Sequence, residues 1–425
     1  HALPISTNVD GASVWVAYRA ANTNGQGYKS IASSTGVSDL YGSTKSWNTA
    51  AYGAQLAMNN SGSAVKVYGL ASTSSTTVSS ALDDLETKEV YSMGILGQKD
   101  MSSVATSVGT HVTNMSSATS KKERIAFISN PISFDGTAHA ETSTQKSATA
   151  LAVQVANASY GNKRLFSIHP DAAYVQETRH VSTVDPTWIS NSFGDTTAVT
   201  FGSSSSYKLF ARFASDVTIN SVSYQVGDII DSTAFANIRD YYSGVQISVL
   251  APVPGYYYTA AAAGQVSGKS PEQPLTNSPV GGFYGTWGSQ DYFNESDLNT
   301  MAEGGAYIMN EVATGMVVTR HQVSTDVTTV AKRELSVTNS LDYTAKFMRK
   351  ALKPYIGKYT INPNFTKLVN TVLVGIGLFL TRQGIINDLQ VVSVVQDSIS
   401  PDTLQVEVNV LVKYPVNYIK IKLIF

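Results

Sequence analysis

The hydrophobic period changes once in the last third of the chain, and that change limits what this part can form. Asn362-Pro363 reads as an N-cap followed by proline at the first helical position. Phe365, Leu368, Val369, Val372, Leu373, Ile376, Phe379 and Leu380 then recur on one helical face, and Gly384 supplies the stop. Beyond Gly384 the period is 2. Residues 389–395 are β-rich, and 398–402, with Pro401, read as a turn. Leu404, Val406, Val408, Val410 and Val412 then alternate with Gln405, Glu407, Asn409, Leu411 and Lys413, the pattern of a half-buried strand. Pro415 interrupts. The final run places Ile419, Ile421, Leu423 and Phe425 on one face and Tyr418, Lys420 and Lys422 on the other. Upstream, Ser340 is positioned to cap a helix with Leu341, Ala345, Met348 and Leu352 as its stripe and Pro354 as its end.

Before this region the chain alternates between strand and helix patterns. Strands are expected at 65–70, 90–96, 124–129 and 164–169. Helices are expected around Val78, Ala81, Leu82 and Leu85, over 101–115, and over 144–159 with Ala148, Leu151, Ala152 and Val155 on one face. Strands separated by helices argue for an α/β core, a parallel or mixed sheet with helices on both faces. The pattern breaks between 177 and 245, where short β runs and turn residues predict a β-rich inserted module, and 245–251 returns as a core strand. Residues 252–283 hold five prolines and several glycines and read as a long connection, partly helical at 260–265. The expected division is an N-terminal segment, 1–28; an α/β core, 29–176 plus 246–290; the insertion, 177–245; and an α+β C-terminal domain, 291–425.

Composition narrows the function. The chain has 425 residues, 43% of them hydrophobic and 14% charged, with a net charge of -1 and no cysteine. The length allows two or three cored domains. The charge balance gives no footprint for nucleic acid or an anionic membrane, and a cysteine-free chain has neither disulfides nor thiolate metal sites. The apolar run within 368–380 is too short to span a bilayer and is amphipathic, and no signal peptide is visible. Starting at His1 rather than Met fits a trimmed chain.

Catalytic patterns do not assemble. Ala263 to Ser270, AGQVSGKS, satisfies a relaxed phosphate-loop pattern with Lys269 as the cation. Pro271 and Pro274 follow where the phosphate-facing helix should begin, so nucleotide binding is not expected. Asp135 and His139 sit in a Ser/Thr/Gly-rich stretch, and no Gly-x-Ser-x-Gly elbow exists to complete a triad. His169-Pro170-Asp171 ends a core strand without a second ligand nearby. His111, His180 and His321 stand alone in sequence, and Arg349, Lys350 and Lys353 read as a solvated helix face. No catalytic, cofactor or metal residue is assigned, and no cofactor is expected. An α/β hydrolase or nucleotide-binding enzyme is the alternative reading.

The order of parts resembles the contractile-tail sheath family of bacteriophages and pyocins. Near the start, Leu40-Tyr41-Gly42, the run 50–58, Asn59-Asn60-Ser61-Gly62 and Val65-Lys66-Val67-Tyr68 match its turn, helix, Asn-Gly and strand. Later, Asn294 to Gly305, then Val317 to Thr325 with Arg320, then the helix pair, hairpin and terminal strand follow in the family's order. The resemblance implies a structural subunit, not an enzyme. It would polymerise around a tail tube in stacked rings and contract to drive the tube through a target envelope. Its partners would be further copies of itself, the tube protein, and baseplate and terminator proteins, with no nucleic acid or membrane. It would sit in the virion tail, assembled in the host cytoplasm. The terminal strand, with Tyr418, Ile419, Ile421, Leu423 and Phe425, would then be donated to a neighbour rather than close its own sheet.

Overall fold

A computed structural model describes residues 26–46, 48–70, 75–97, 102–129, 143–170, 172–180, 211–228, 230, 233–234, 236–238, 246–286, 293–417, 419 and 421–423. The elements follow as β1 (Gly27–Ile31), α1 (Ser34–Tyr41), α2 (Thr49–Ser61), β2 (Val65–Gly69), α3 (Ser75–Leu85), β3 (Ser92–Gly94), α4 (Ser102–Met115), β4 (Ile125–Ser129), α5 (Ser143–Ala158) and β5 (Leu165–His169). Next come β6 (Ala172–His180), β7 (Arg212–Phe213), β8 (Val217–Ile219), β9 (Val222–Tyr224), β10 (Gln246–Pro254), α6 (Tyr256–Gly268), β11 (Gly285–Thr286) and α7 (Glu295–Glu303). The chain ends with β12 (Ala306–Ala313), β13 (Met316–His321), α8 (Leu335–Leu352), α9 (Pro363–Arg382), β14 (Asp388–Gln396) and β15 (Leu404–Leu411).

The central sheet runs β13-β12-β5-β4-β3. Its pairs are parallel except β12–β13. β4 and β5 read IAFIS and LFSIH and are buried throughout, as strands covered on both faces must be. Ile125, Phe127, Phe166, Ile168 and Tyr307 pack with α6, whereas Ala126, Ile128 and Leu165 pack with Val78, Leu82, Val104 and Val108 of α3 and α4. This is an α/β fold. Residues 306–321, which lie beyond the expected boundary at 290, hydrogen-bond into this sheet through β5.

The centre of the fold is α6. Tyr256 to Val266 are all buried, with Tyr257, Tyr258 and Ala260 to Ala263 fully enclosed. The expectation of a connection helical only at 260–265 is corrected. A helix apolar on every side has no amphipathic signature and belongs in a core. It packs on α2 at a distance set by glycine: a Cβ at Gly264 would lie 2.3 Å from the Ala57 carbonyl oxygen, and one at Gly268 2.7 Å from that of Ser61. The glycines that suggested a phosphate loop are helix-packing residues.

The second sheet runs β11-β6-β10-β7. β6 and β10 pair antiparallel from Ala172↔Pro254 to His180↔Gln246. β7 meets β10 only at Val249 and Leu250, so Pro252 and Pro254 stand where that edge needs no N–H. Ala211, Phe213, Ile219, Ile230, Ala234 and Ile238 form a small cluster with Val249, beside the β8–β9 hairpin. Residues 181–210, most of the expected insertion's first half, lie outside the described residues.

Two helical faces differ from expectation. In α5 it is Ala150, Val153 and Asn157 that are buried, whereas Leu151 and Val155 are 54% and 64% exposed. Apolar spacing gives a stripe but not its direction. Ser340 is no N-cap: α8 begins at Leu335, and Ser340 is buried inside it.

His111 is built into the core beside a buried arginine. Its Nε2 lies 2.9 Å from Nη1 of Arg124, which also donates to the Leu85 and Lys88 carbonyls. Burial, and then the Arg124 charge, push the His111 pKa down to about 4. The folded value lies below the ordinary 6.5, so the unfolded chain takes up the proton first. Stability should fall as pH drops from about 6.5 towards 4, by up to about 3 kcal/mol from this group. Urea titrations from pH 7 to 4 should show that slope, reduced in His111→Gln. A second prediction separates two glycines. Gly264→Ala should cost about 1–3 kcal/mol through overpacking. Gly375→Ala in α9, where nothing lies within 4 Å of the new methyl, should gain about 1 kcal/mol of helix propensity.

Candidate assembly interface

α8 carries two opposed faces, and only one is apolar. Asn339, Asp342, Lys346 and Arg349 recur at helical spacing and face the core sheet. Arg164 grips Asp342 with both terminal nitrogens, at 2.6 and 2.8 Å. Tyr91 donates to Asn339 Oδ1 at 2.7 Å and contacts Asp342 Oδ2 at 3.2 Å. Lys346 sits 4.5 Å above the Tyr91 ring and donates to the Glu123 carbonyl. Arg349 pairs with both Glu123 carboxylate oxygens. Burial, then the Asp342 charge, push the Tyr91 hydroxyl well above its ordinary pKa. Burial pushes the Lys346 ammonium down. The expectation of a solvated Arg349, Lys350, Lys353 face is corrected at Arg349, which is an ion-pair residue; Lys350 and Lys353 are exposed.

The other face of α8 presents Tyr343, Phe347, Met348, Ala351 and Leu352 to a separate cluster built on Val369, Leu373, Ile376, Leu380, Ile385, Ile386 and Leu389. Phe347 stacks on Phe379 at 5.3 Å. Leu341, expected in the apolar stripe, is 38% exposed. α9 starts at an Asn362 cap whose Oδ1 accepts from the Asn364 and Phe365 amides. Its 20 residues are long and apolar enough to cross a membrane, but the same buried stripe is packed against β14, where Gly377 lets Leu389 approach.

β14 and β15 form a two-stranded antiparallel sheet from Asp388↔Leu411 to Gln396↔Leu404, with a register shift between Val391 and Ser393. Among the described residues no third strand joins it. Val392, Val395, Val406 and Leu411 remain 37–59% exposed on it. The chain then leaves along a strap. Asn387 Nδ2 holds the Val412 carbonyl at 3.2 Å. Asn417 donates to Glu334 Oε1 at 3.0 Å and accepts from Thr276 Oγ1 at 3.2 Å. Glu334 is fully buried and also meets His321 Nε2 at 3.0 Å and Arg333 Nε at 3.1 Å. Burial raises its pKa, but the hydrogen bond and charge of His321, with Arg333 and Asn417, outweigh that and hold the carboxyl below its ordinary value.

Beyond the strap, Ile419, Ile421 and Leu423 are 79–85% exposed and belong to no strand of this chain among the described residues. Tyr418 and Phe425 lie outside the described residues, as do Asp135, His139, Asp171 and the His180 side chain. His169 is buried against Phe293, with ring centres 5.5 Å apart. Ala263 to Gly268 lie within α6, so no loop exists there to cradle a phosphate. Among the described residues no group of three or more His, Asp or Glu is placed to hold a metal ion. The residues missed from sequence are the polar ones of α8 and the Asn417 contact, since charge-pair partners far apart in sequence leave no periodic signal.

Removing one member of the Arg164–Asp342 pair leaves a buried charge. Asp342→Ala should cost about 3–5 kcal/mol in chemical denaturation, and the Arg164→Met/Asp342→Leu double variant should recover most of it.

No protein-family model and no curated protein sequence matches the chain. Solved structures do. The helical sheath of the anti-feeding prophage in its contracted state superposes with a TM-score of 0.59 at 14% identity, covering 97% of this chain and 93% of that one. The sheath complex of PVC, an extracellular contractile injection system, also in its contracted state, gives 0.60 at 12%, covering 98% and 92%. A sheath tail protein from Listeria innocua gives 0.53 at 9%, covering 95% of both chains. From β1 to the C-terminal hairpin, this chain has the fold of contractile tail sheath proteins.

Proposed function

We propose that this chain is a structural subunit of a contractile sheath. The observation that carries the reading is the mismatch at the C-terminus: Ile419, Ile421 and Leu423 are exposed, while among the described residues no third strand covers either outer edge of the β14–β15 sheet. A two-stranded sheet is marginal alone and gains from a third strand. Donation of 418–425 to a neighbour's hairpin satisfies both, with main-chain hydrogen bonds for affinity and alternate side chains for register. Each apolar side chain buried contributes about 1.5–3 kcal/mol before ordering costs.

In this reading 29–176 and 246–290 are the rigid α/β body, 177–245 is an outlying module, and 291–425 is the assembly part, rooted in the body through β12 and β13. Subunits stack in rings around a tube, joined by exchanged arms. Contraction carries rigid bodies from a metastable extended packing to a wider, shorter array while the arms act as hinges. Tube, baseplate and terminator proteins are the partners, and the work is mechanical, without catalysis or cofactor. A phage tail that ejects a genome and an injection system that delivers another cargo both fit such a subunit.

The test is assembly. Removing 418–425 should leave the melting temperature within about 2 °C, since no described residue there is packed in the monomer, and should abolish tubes in electron micrographs. Ile421→Asp should act similarly by placing a charge on the buried face. Regular tubes from the truncated chain would overturn the reading, and unfolding of the truncated chain would show that the segment belongs to its own core.

A further inference from the structure

We infer that Asn417 is the positioning residue of the C-terminal arm: its clasp on Glu334 and Thr276 fixes where the arm leaves the body and in which direction. The inference rests on the donation reading for its purpose, but not for its geometry.

Three observations carry it. First, the strap has two fixed points. One is Val412, held by Asn387 at the base of the hairpin; the other is Asn417, held by Glu334 and Thr276. Between them Tyr414 and Val416 are exposed, so packing there does not hold the chain. Second, the receiving carboxylate is itself rigid. Glu334 immediately precedes α8, is fully buried, and is braced by His321 from β13 and by Arg333. Thr276 comes from the connection after α6, where the backbone of Asn277 is bonded to Thr319 of β13. The clasp therefore ties the chain to the sheet and not to the hairpin. Third, among the described residues exposure is high past the clasp, at Ile419, Ile421 and Leu423. Among the described residues the last side-chain hold on the strap is at Asn417, two residues past the Pro415 break in the sequence pattern.

The physical consequence is a shorter tether. The spread of a flexible chain grows as the square root of its length. Moving the last fixed point from 417 to 412 lengthens the tether to residue 419 from about two residues to about seven, which widens its distribution about twofold. Effective concentration at a neighbour's hairpin falls with the cube of that width, or about sevenfold. Asn417 suits the task because its amide donates to a carboxylate and accepts from a hydroxyl at once.

The chain lacks cysteine, so two can be introduced cleanly. Nitroxide labels at Ile419→Cys and at Leu151→Cys, on the exposed face of α5, report the arm's spread by pulsed electron–electron resonance on the unassembled full chain. The expected result is a narrow distance distribution with Asn417 intact. It should widen about twofold in Asn417→Ala and by less in Thr276→Val. The melting temperature should stay within about 2 °C, and the concentration needed for tubes should rise about sevenfold in Asn417→Ala. Equal widths in all three proteins would overturn the inference. Thr276→Val leaves Glu334 and its partners intact, so a folding defect in one variant does not remove the test. Tubes from a chain lacking 418–425 would sink the donation reading alone, because the label widths are read without assembly.

Discussion

The outer edge of a β-strand is a row of unpaired N–H and C=O groups, and a sheet of two strands leaves two such rows. β14 and β15 are in that position: one face rests on α9, and no third strand joins them among the described residues. At the same time Ile419, Ile421 and Leu423, which alternate in sequence, are largely exposed in their own subunit. Each half of this arrangement is costly in isolation, and each is the complement of the other. In the proposed reading, assembly follows once the donor of one copy reaches the acceptor of the next.

The proposed contraction requires bodies that stay rigid while their links bend, and α8 shows how rigidity is built. Its polar face locks to the sheet through Arg164, Tyr91 and Glu123, and its apolar face supports the helix and hairpin that would receive the arm. One helix thus joins the core sheet to the C-terminal helix and hairpin. Paired buried charges add less net stability than apolar packing, but a bidentate Arg–carboxylate pair fixes orientation in a way that leucines do not.

The C-terminal helix and hairpin were legible because both announce themselves locally: Asn362-Pro363 sets a start, Gly384 a stop, and the period changes between them. The buried strands β4 and β5 were equally plain as short apolar runs. What escaped had no amphipathic signature or had the wrong one. α6 is apolar on all sides and was read as a connection. The packing face of α8 toward the sheet is polar, so its partners, such as Arg164 for Asp342, cannot be found by counting hydrophobic residues. α5 turns Leu151 and Val155 outward, which periodicity cannot foresee. The alternation of the terminal residues was visible in sequence; the exposure of Ile419, Ile421 and Leu423 required coordinates.

The most direct measurement is a cryo-electron microscopy reconstruction of tubes assembled from the full chain, at a resolution that traces the main chain. The account predicts that residues 419–423 of each subunit run as a strand hydrogen-bonded to the edge of β14 or β15 of a neighbour, with Ile419, Ile421 and Leu423 covered. A segment folded back onto its own subunit, with the neighbouring hairpin still two-stranded, would contradict it.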